Sequence, residues 1–93
     1  MAGYKLTPLA DHKLDQLYEY SLENFGLLQA REYYQSLTET FDLIASHPGK
    51  GRRFRHVRRH EHGNHVIFYR DLKSHVLIID FLHRVEDADW LDF

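Results

Sequence analysis

Two runs towards the end of the chain constrain its fold more than any other part. His65-Val66-Ile67-Phe68-Tyr69-Arg70 and His75-Val76-Leu77-Ile78-Ile79-Asp80-Phe81-Leu82-His83 are dense in β-branched and aromatic residues. Asp71-Leu72-Lys73-Ser74 between them has the length of a hairpin loop. In the second run the apolar residues fall on both parities, Val76, Ile78 and Leu82 on one and Leu77, Ile79 and Phe81 on the other. A strand apolar on both faces reads as a covered, interior strand. The pair predicts the spine of a small sheet on which the upstream segments pack.

Those segments read as a strand and two helices. Tyr4-Lys5-Leu6 is short and β-prone, suited to an edge strand. Thr7-Pro8 marks a helix start, because Thr offers a capping hydroxyl and Pro at the first helical position gives up an N–H that would be unpaired anyway. Leu14, Leu17, Tyr18, Ser21, Leu22 and Phe25 then recur at helical spacing, and Gly26 can take the left-handed conformation that ends a helix. A second stripe, Ala30, Tyr33, Tyr34, Leu37, Phe41, Ile44 and Ala45, runs on to a stop at His47-Pro48-Gly49. Two such helices joined by a few residues form an antiparallel hairpin. Phe54 to His60 is expected as a further strand, with Glu61-His62-Gly63-Asn64 turning the chain into the first spine strand. The predicted order is β-α-α-β-β-β: an α+β fold with the helical hairpin on one face of a small, mainly antiparallel sheet.

At 93 residues the chain is expected to be one domain over 1–93, ending in the acidic tail 86–93. It has no cysteine, which fits a reducing compartment. No basic-then-apolar leader opens it and no run reaches membrane-spanning length, so a cytoplasmic location without membrane association is expected. Its net charge of −2 hides a segregation. Lys50, Arg52, Arg53, Arg55, Arg58 and Arg59 lie within one acid-free stretch, while Glu86, Asp87, Asp89 and Asp92 crowd the tail. One patch could thus face an anionic partner, although a solvated loop gives the same pattern.

Few constellations point to catalysis. His56, His60, His62 and His65 match no compact zinc spacing and have no cysteine to complete one, so no metal is expected. No serine lies in a nucleophile elbow, and Gly49-Lys50-Gly51 precedes a strand rather than a helix, which sets aside nucleotide hydrolysis and any cofactor. Arg58, Arg59, His65, Tyr69, Arg70, His83 and Arg84 sit on consecutive predicted strands and could converge on the sheet face away from the helices. Arginine forks suit phosphate, histidine suits proton transfer, and Tyr69 or Trp90 could stack on bases. Equally, Tyr69 could be core and the arginines strand-edge charges that discourage aggregation.

Taken together, Tyr4-Lys5-Leu6-Thr7, Phe25-Gly26-Leu27-Leu28-Gln29-Ala30, Tyr34, Leu37, His47-Pro48-Gly49-Lys50-Gly51-Arg52, His65 to Arg70 and Leu82-His83-Arg84 resemble the ParE branch of the ParE/RelE toxins, from residue 4 to about residue 89. The resemblance implies a bacterial toxin, neutralised by a ParD-like antitoxin and directed at DNA gyrase, that meets DNA only through that antitoxin. On this reading Arg52, Arg53, Arg58, Arg59, His83, Arg84 and Trp90 are the candidate target contacts; the antitoxin site is not assigned. The RelE branch implies instead a ribosome-dependent endoribonuclease, with His65, Arg70 and His83 sharing the acid, base and phosphate-binding roles; a non-toxic member that only binds its antitoxin is the other alternative. RelE-type nucleases commonly carry an arginine where this chain has Val66, and a late tyrosine that it lacks. An apolar Val66 cannot stabilise charge on a phosphate. Asp80 stands where ParE-like chains often carry a base.

Overall fold

The computed structural model describes residues 3–63 and 65–83. The tail, Arg84 and Trp90 lie outside them, as does the side chain of His83. The elements run β1 (Gly3–Leu6), α1 (Pro8–Phe25), α2 (Leu27–Ser46), a 3-10 turn (Pro48–Lys50), β2 (Arg52–Phe54), β3 (Val57–His62), β4 (His65–Asp71) and β5 (His75–His83). The sheet order is β1-β5-β4-β3-β2, antiparallel except for the parallel pair β1–β5. The predicted α+β arrangement therefore stands, with β1 at an edge and β5 in the interior.

The single strand expected over Phe54 to His60 is a tight hairpin instead. β2 and β3 pair Arg52 with Arg59, Arg53 with Arg58 and Phe54 with Val57. Arg55-His56 makes the turn, with Arg55 at φ 57°. A non-glycine residue rarely takes that conformation, and no Gly, Asn or Asp marks the turn in the sequence. Downstream, β3 runs through His62, which pairs with His65, so Glu61 and His62 belong to the strand and not to the turn.

Local chemistry accounts for the helix ends. The Thr7 hydroxyl accepts from Ala10 N–H at 3.1 Å and donates to Ile79 O at 2.7 Å, while Thr7 N–H reaches Ile78 O at 3.0 Å. One residue thus caps α1 and ties it to β5. Gly26 ends α1 at φ 88° and ψ 171°, so it uses the positive φ expected of it but an extended ψ.

The core between helices and sheet holds Ala10, Leu14, Leu37, Phe41, Ile44, Ile67, Tyr69, Val76, Ile78 and Phe81. A second cluster on the opposite sheet face joins Val57, Val66, Phe68 and Leu82 to Phe54 and Ile79. The register shifts beside Phe68 and Tyr69, which pair with Asp80 and Ile78, so Ile79 has no β4 partner. That bulge exchanges the parities of β5 and lets Val76, Ile78 and Phe81 share one core.

Asp80 is buried, with its carboxylate 2.8 Å from Lys13 Nζ of α1 and 2.8 Å from its neighbour's Phe81 N–H. A base here would leave Lys13 facing a like charge. Replacing Lys13 by Met should cost about 2 kcal/mol or more, because it strands a buried carboxylate. Lys13→Met combined with Asp80→Asn should recover much of that loss. Urea midpoints of the two variants check this, and equal midpoints would show that the ion pair contributes nothing.

Candidate functional site

Alternation along β2 and β3 divides the arginine-rich stretch between two faces of the sheet. Arg53 and Arg58 are cross-strand partners on the face that carries Tyr69, since Arg58 pairs with Tyr69. Arg52 and Arg59 are partners on the face that carries Phe68. The run expected to form one patch is therefore two like-charged pairs, back to back. Arg52 and Arg53 are exposed, Arg58 and Arg59 half-buried. Arg59 reaches Glu61 at 3.2 Å, with both side chains partly exposed, so the basic surface is not consumed by buried ion pairs.

Tyr69 is core. Its ring is buried and its hydroxyl donates to Pro48 O at 2.7 Å while accepting from Gly51 N–H at 3.1 Å. Burial raises its pKa, against the opposing pull of the Gly51 N–H and Arg58, so the phenol keeps the proton it donates. A Cβ at residue 51 would run into that hydroxyl, which explains glycine in the Gly51-Arg52 pair. Arg58 Nη1 adds bonds to Gly51 O at 2.8 Å and Gly49 O at 3.3 Å. Tyr69 and Arg58 thus hold the loop that launches β2.

Of the three nuclease candidates, His65 and Arg70 do not come together, and the side chain of His83 lies outside the described residues. His65 points to the helices, where its Nδ1 meets the Tyr33 hydroxyl and its ring lies 5.9 Å from that of Phe81. Arg70 is five residues further along β4, about 16 Å at strand rise, and alternation turns it to the other face. His83 pairs with His65 at the far end from Arg70. The expected convergence on one face fails because β4 sends His65 and Tyr69 towards the helices and Arg70 away from them.

A feature not anticipated from the sequence is the set of polar contacts that pins α2 to β3. His62 Nδ1 lies 3.0 Å from Thr40 Oγ1 and its Nε2 3.1 Å from Ser36 Oγ. Ser36 and Thr40 are one helical turn apart, a spacing that could have suggested a shared partner. Among the described residues no three metal-ligating side chains stand close enough to hold an ion.

The helical hairpin leaves large apolar groups in solvent at its elbow. Phe25 is 55% exposed, Leu27 53% and Leu28 74%. Beside them Leu17, Tyr20, Ser21, Gln29, Tyr33 and His65 line a groove of about 470 Å³. No described helix is long and apolar enough to cross a membrane.

Comparison with known proteins agrees with this geometry. The family model described as ParE toxin of type II toxin-antitoxin system, parDE, matches residues 4–88. Toxin ParE1 of Caulobacter vibrioides is 37% identical over 92 residues, covering 95% of each chain. Toxin ParE1 of Mycobacterium tuberculosis is 28% identical over 91 residues, covering 92% of this chain and 93% of that one. A solved structure titled Chromosomal ParDE TA system from P. aeruginosa superposes with a TM-score of 0.73 at 24% identity, covering 92% of this chain and 98% of that one. At that identity the likeness speaks for the fold.

His60 on β3 makes stability depend on pH. Desolvation first, then the adjacent His62, lower the pKa of His60 from its ordinary 6.5, with Glu61 opposing. The unfolded chain therefore takes up this proton at a higher pH than the folded one. The stability that neutral His60 contributes is complete above the ordinary value and is lost as pH falls through the lowered one. Between about pH 7.5 and about pH 5, the urea midpoint of the parent should fall further than that of His60→Gln. Parallel curves would remove His60 from the cause.

Proposed function

This chain belongs to the ParE toxin family of type II toxin–antitoxin systems, and we propose that it acts in the cytoplasm by binding DNA gyrase, not by cleaving RNA. The observation that carries the reading is the separation of His65 from Arg70. Acid–base cleavage needs its groups within hydrogen-bond reach of one phosphate, and here they lie on opposite faces, with a buried Val66 where RelE-type nucleases commonly carry an arginine. What the surface offers instead is exposed charge. Arg52 and Arg59 on the outer face are the proposed target contacts, joined by His83, Arg84 and Trp90 from the end of the chain. Rim charges of this kind speed association and fix orientation on a larger partner.

A ParD-like antitoxin is the second proposed partner. Leu28, Leu27 and Phe25 at the helical elbow, with the adjoining groove, suit the apolar face of a partner helix, and the outer edge of β1 can accept a strand. DNA would then be reached through the antitoxin.

Supercoiling by purified gyrase should fall when this protein is added. Arg52→Glu should weaken that inhibition about tenfold. It should not harm folding, because it sets a carboxylate opposite Arg59 in place of a like charge. Leu28→Asp should leave gyrase inhibition alone and weaken antitoxin binding. Unchanged supercoiling with folded protein, or discrete cuts in translated messages by primer extension, would sink the reading.

A further inference from the structure

Arg53, His56, Val57, Arg58, Tyr69, Arg70 and Asp71 surround a depression of about 270 Å³ where β2, β3 and β4 come together beside the loop that enters β2. We propose that this depression is a binding site for a phosphomonoester dianion. Arg53 and Arg58 reach it from the face that carries Tyr69, and Arg70, which alternation turns to the other face, borders it at the end of β4. The proposal goes beyond the gyrase reading, which uses the Arg52–Arg59 pair.

Charge sets the class of ligand. Three guanidinium groups and one carboxylate line the depression, a net +2 with His56 neutral. No ion pair joins Arg53, Arg58 or Arg70 to a carboxylate among the described residues, and Asp71 is occupied in its own turn, accepting from Lys73 N–H at 3.0 Å. A phosphomonoester carries about −1.5 to −2 at pH 7 and so neutralises the site; a carboxylate leaves a full charge over. Arginine forks also match the oxygens of phosphate in pairs.

The fold already holds the cations in place. Arg58 Nη1 is bound to Gly49 O and Gly51 O, which orients that guanidinium before any ligand arrives. Register sets Arg53 directly opposite Arg58, an unfavourable like-charge pair in the empty protein. An anion between them removes that repulsion, so binding should stabilise the β2–β3 hairpin. The size limits what is read. At about 270 Å³ the space lies below the usual range for a whole drug-sized ligand. Tyr69, its hydroxyl committed to Pro48 and its ring in the core, offers no stacking face for a base. The phosphate group itself is recognised, whether free or at the end of a nucleotide.

The test titrates the full chain with inorganic phosphate at constant ionic strength, followed by calorimetry and by the rise in Tm that binding produces. Phosphate should bind saturably and raise Tm, and acetate should do neither. Arg53→Gln and Arg70→Gln, both at exposed positions, should each weaken phosphate about tenfold, the loss of one charge-assisted contact. Arg52→Gln, outside the depression, should leave it unchanged. A nucleoside monophosphate should bind at least as well as phosphate, and its nucleoside should not bind. Equal effects of acetate and phosphate, or equal losses from Arg52→Gln and Arg70→Gln, would overturn the site. A phosphodiester dinucleotide binding as tightly as the monoester would overturn the assignment to a dianion. None of these outcomes bears on gyrase, which is absent from the experiment.

Discussion

The parallel pairing of β1 with β5 holds this fold closed. Gly3 to Leu6 align with His75 to Ile78, so the two ends of the described chain are joined directly. Parallel strands need a long crossover between them, and here everything from α1 to β4 fills it. Thr7 stands at the junction and serves both sides of it. Its hydroxyl caps α1 and its backbone and side chain both bind β5, at the carbonyls of Ile78 and of the unpaired Ile79. The bulge that leaves Ile79 without a β4 partner thus frees the carbonyl that anchors the first helix. Such distant contacts carry the entropy cost of closing a large loop.

Around that closure the polar groups divide between structure and surface. Lys13–Asp80 joins α1 to β5, His62 with Ser36 and Thr40 joins α2 to β3, and Tyr69 with Arg58 holds the loop before β2. Each ties a helix or loop to the sheet. Arg52, Arg53 and Arg59 crowd β2 and β3, and β2 is the outer strand. Charge on an edge discourages pairing between molecules, so these residues also protect the protein from aggregation. The apolar elbow at Phe25 to Leu28 has no such protection.

Much of the fold was legible because its signals are local. The helix start at Thr7-Pro8, the stops at Gly26 and His47-Pro48, and the Asp71 to Ser74 hairpin follow from turn chemistry and periodicity, and all stand in the structure. The β2–β3 hairpin was not legible, since Arg55 adopts a positive φ without the side chain that usually marks one. The candidate site was harder to read for a related reason. Counting cations between Lys50 and His60 suggests one patch, but a strand sends neighbours to opposite faces. Two strands in register then build two pairs from one run.

By itself the sequence determined the order of elements, the capped ends of the helices, the apolar stripes and the spine of the sheet, because each depends on residues within a turn or two of one another. The motifs from Tyr4 to Arg70 were enough to suggest the family. Tertiary structure alone decided that Asp80 meets Lys13, that Tyr69 serves the loop at Gly51, that His65 and Arg70 part company, and that Arg53, Arg58 and Arg70 line one depression. Those relations rest on register and on a bulge, and a shift of one residue in either reverses which face a side chain occupies.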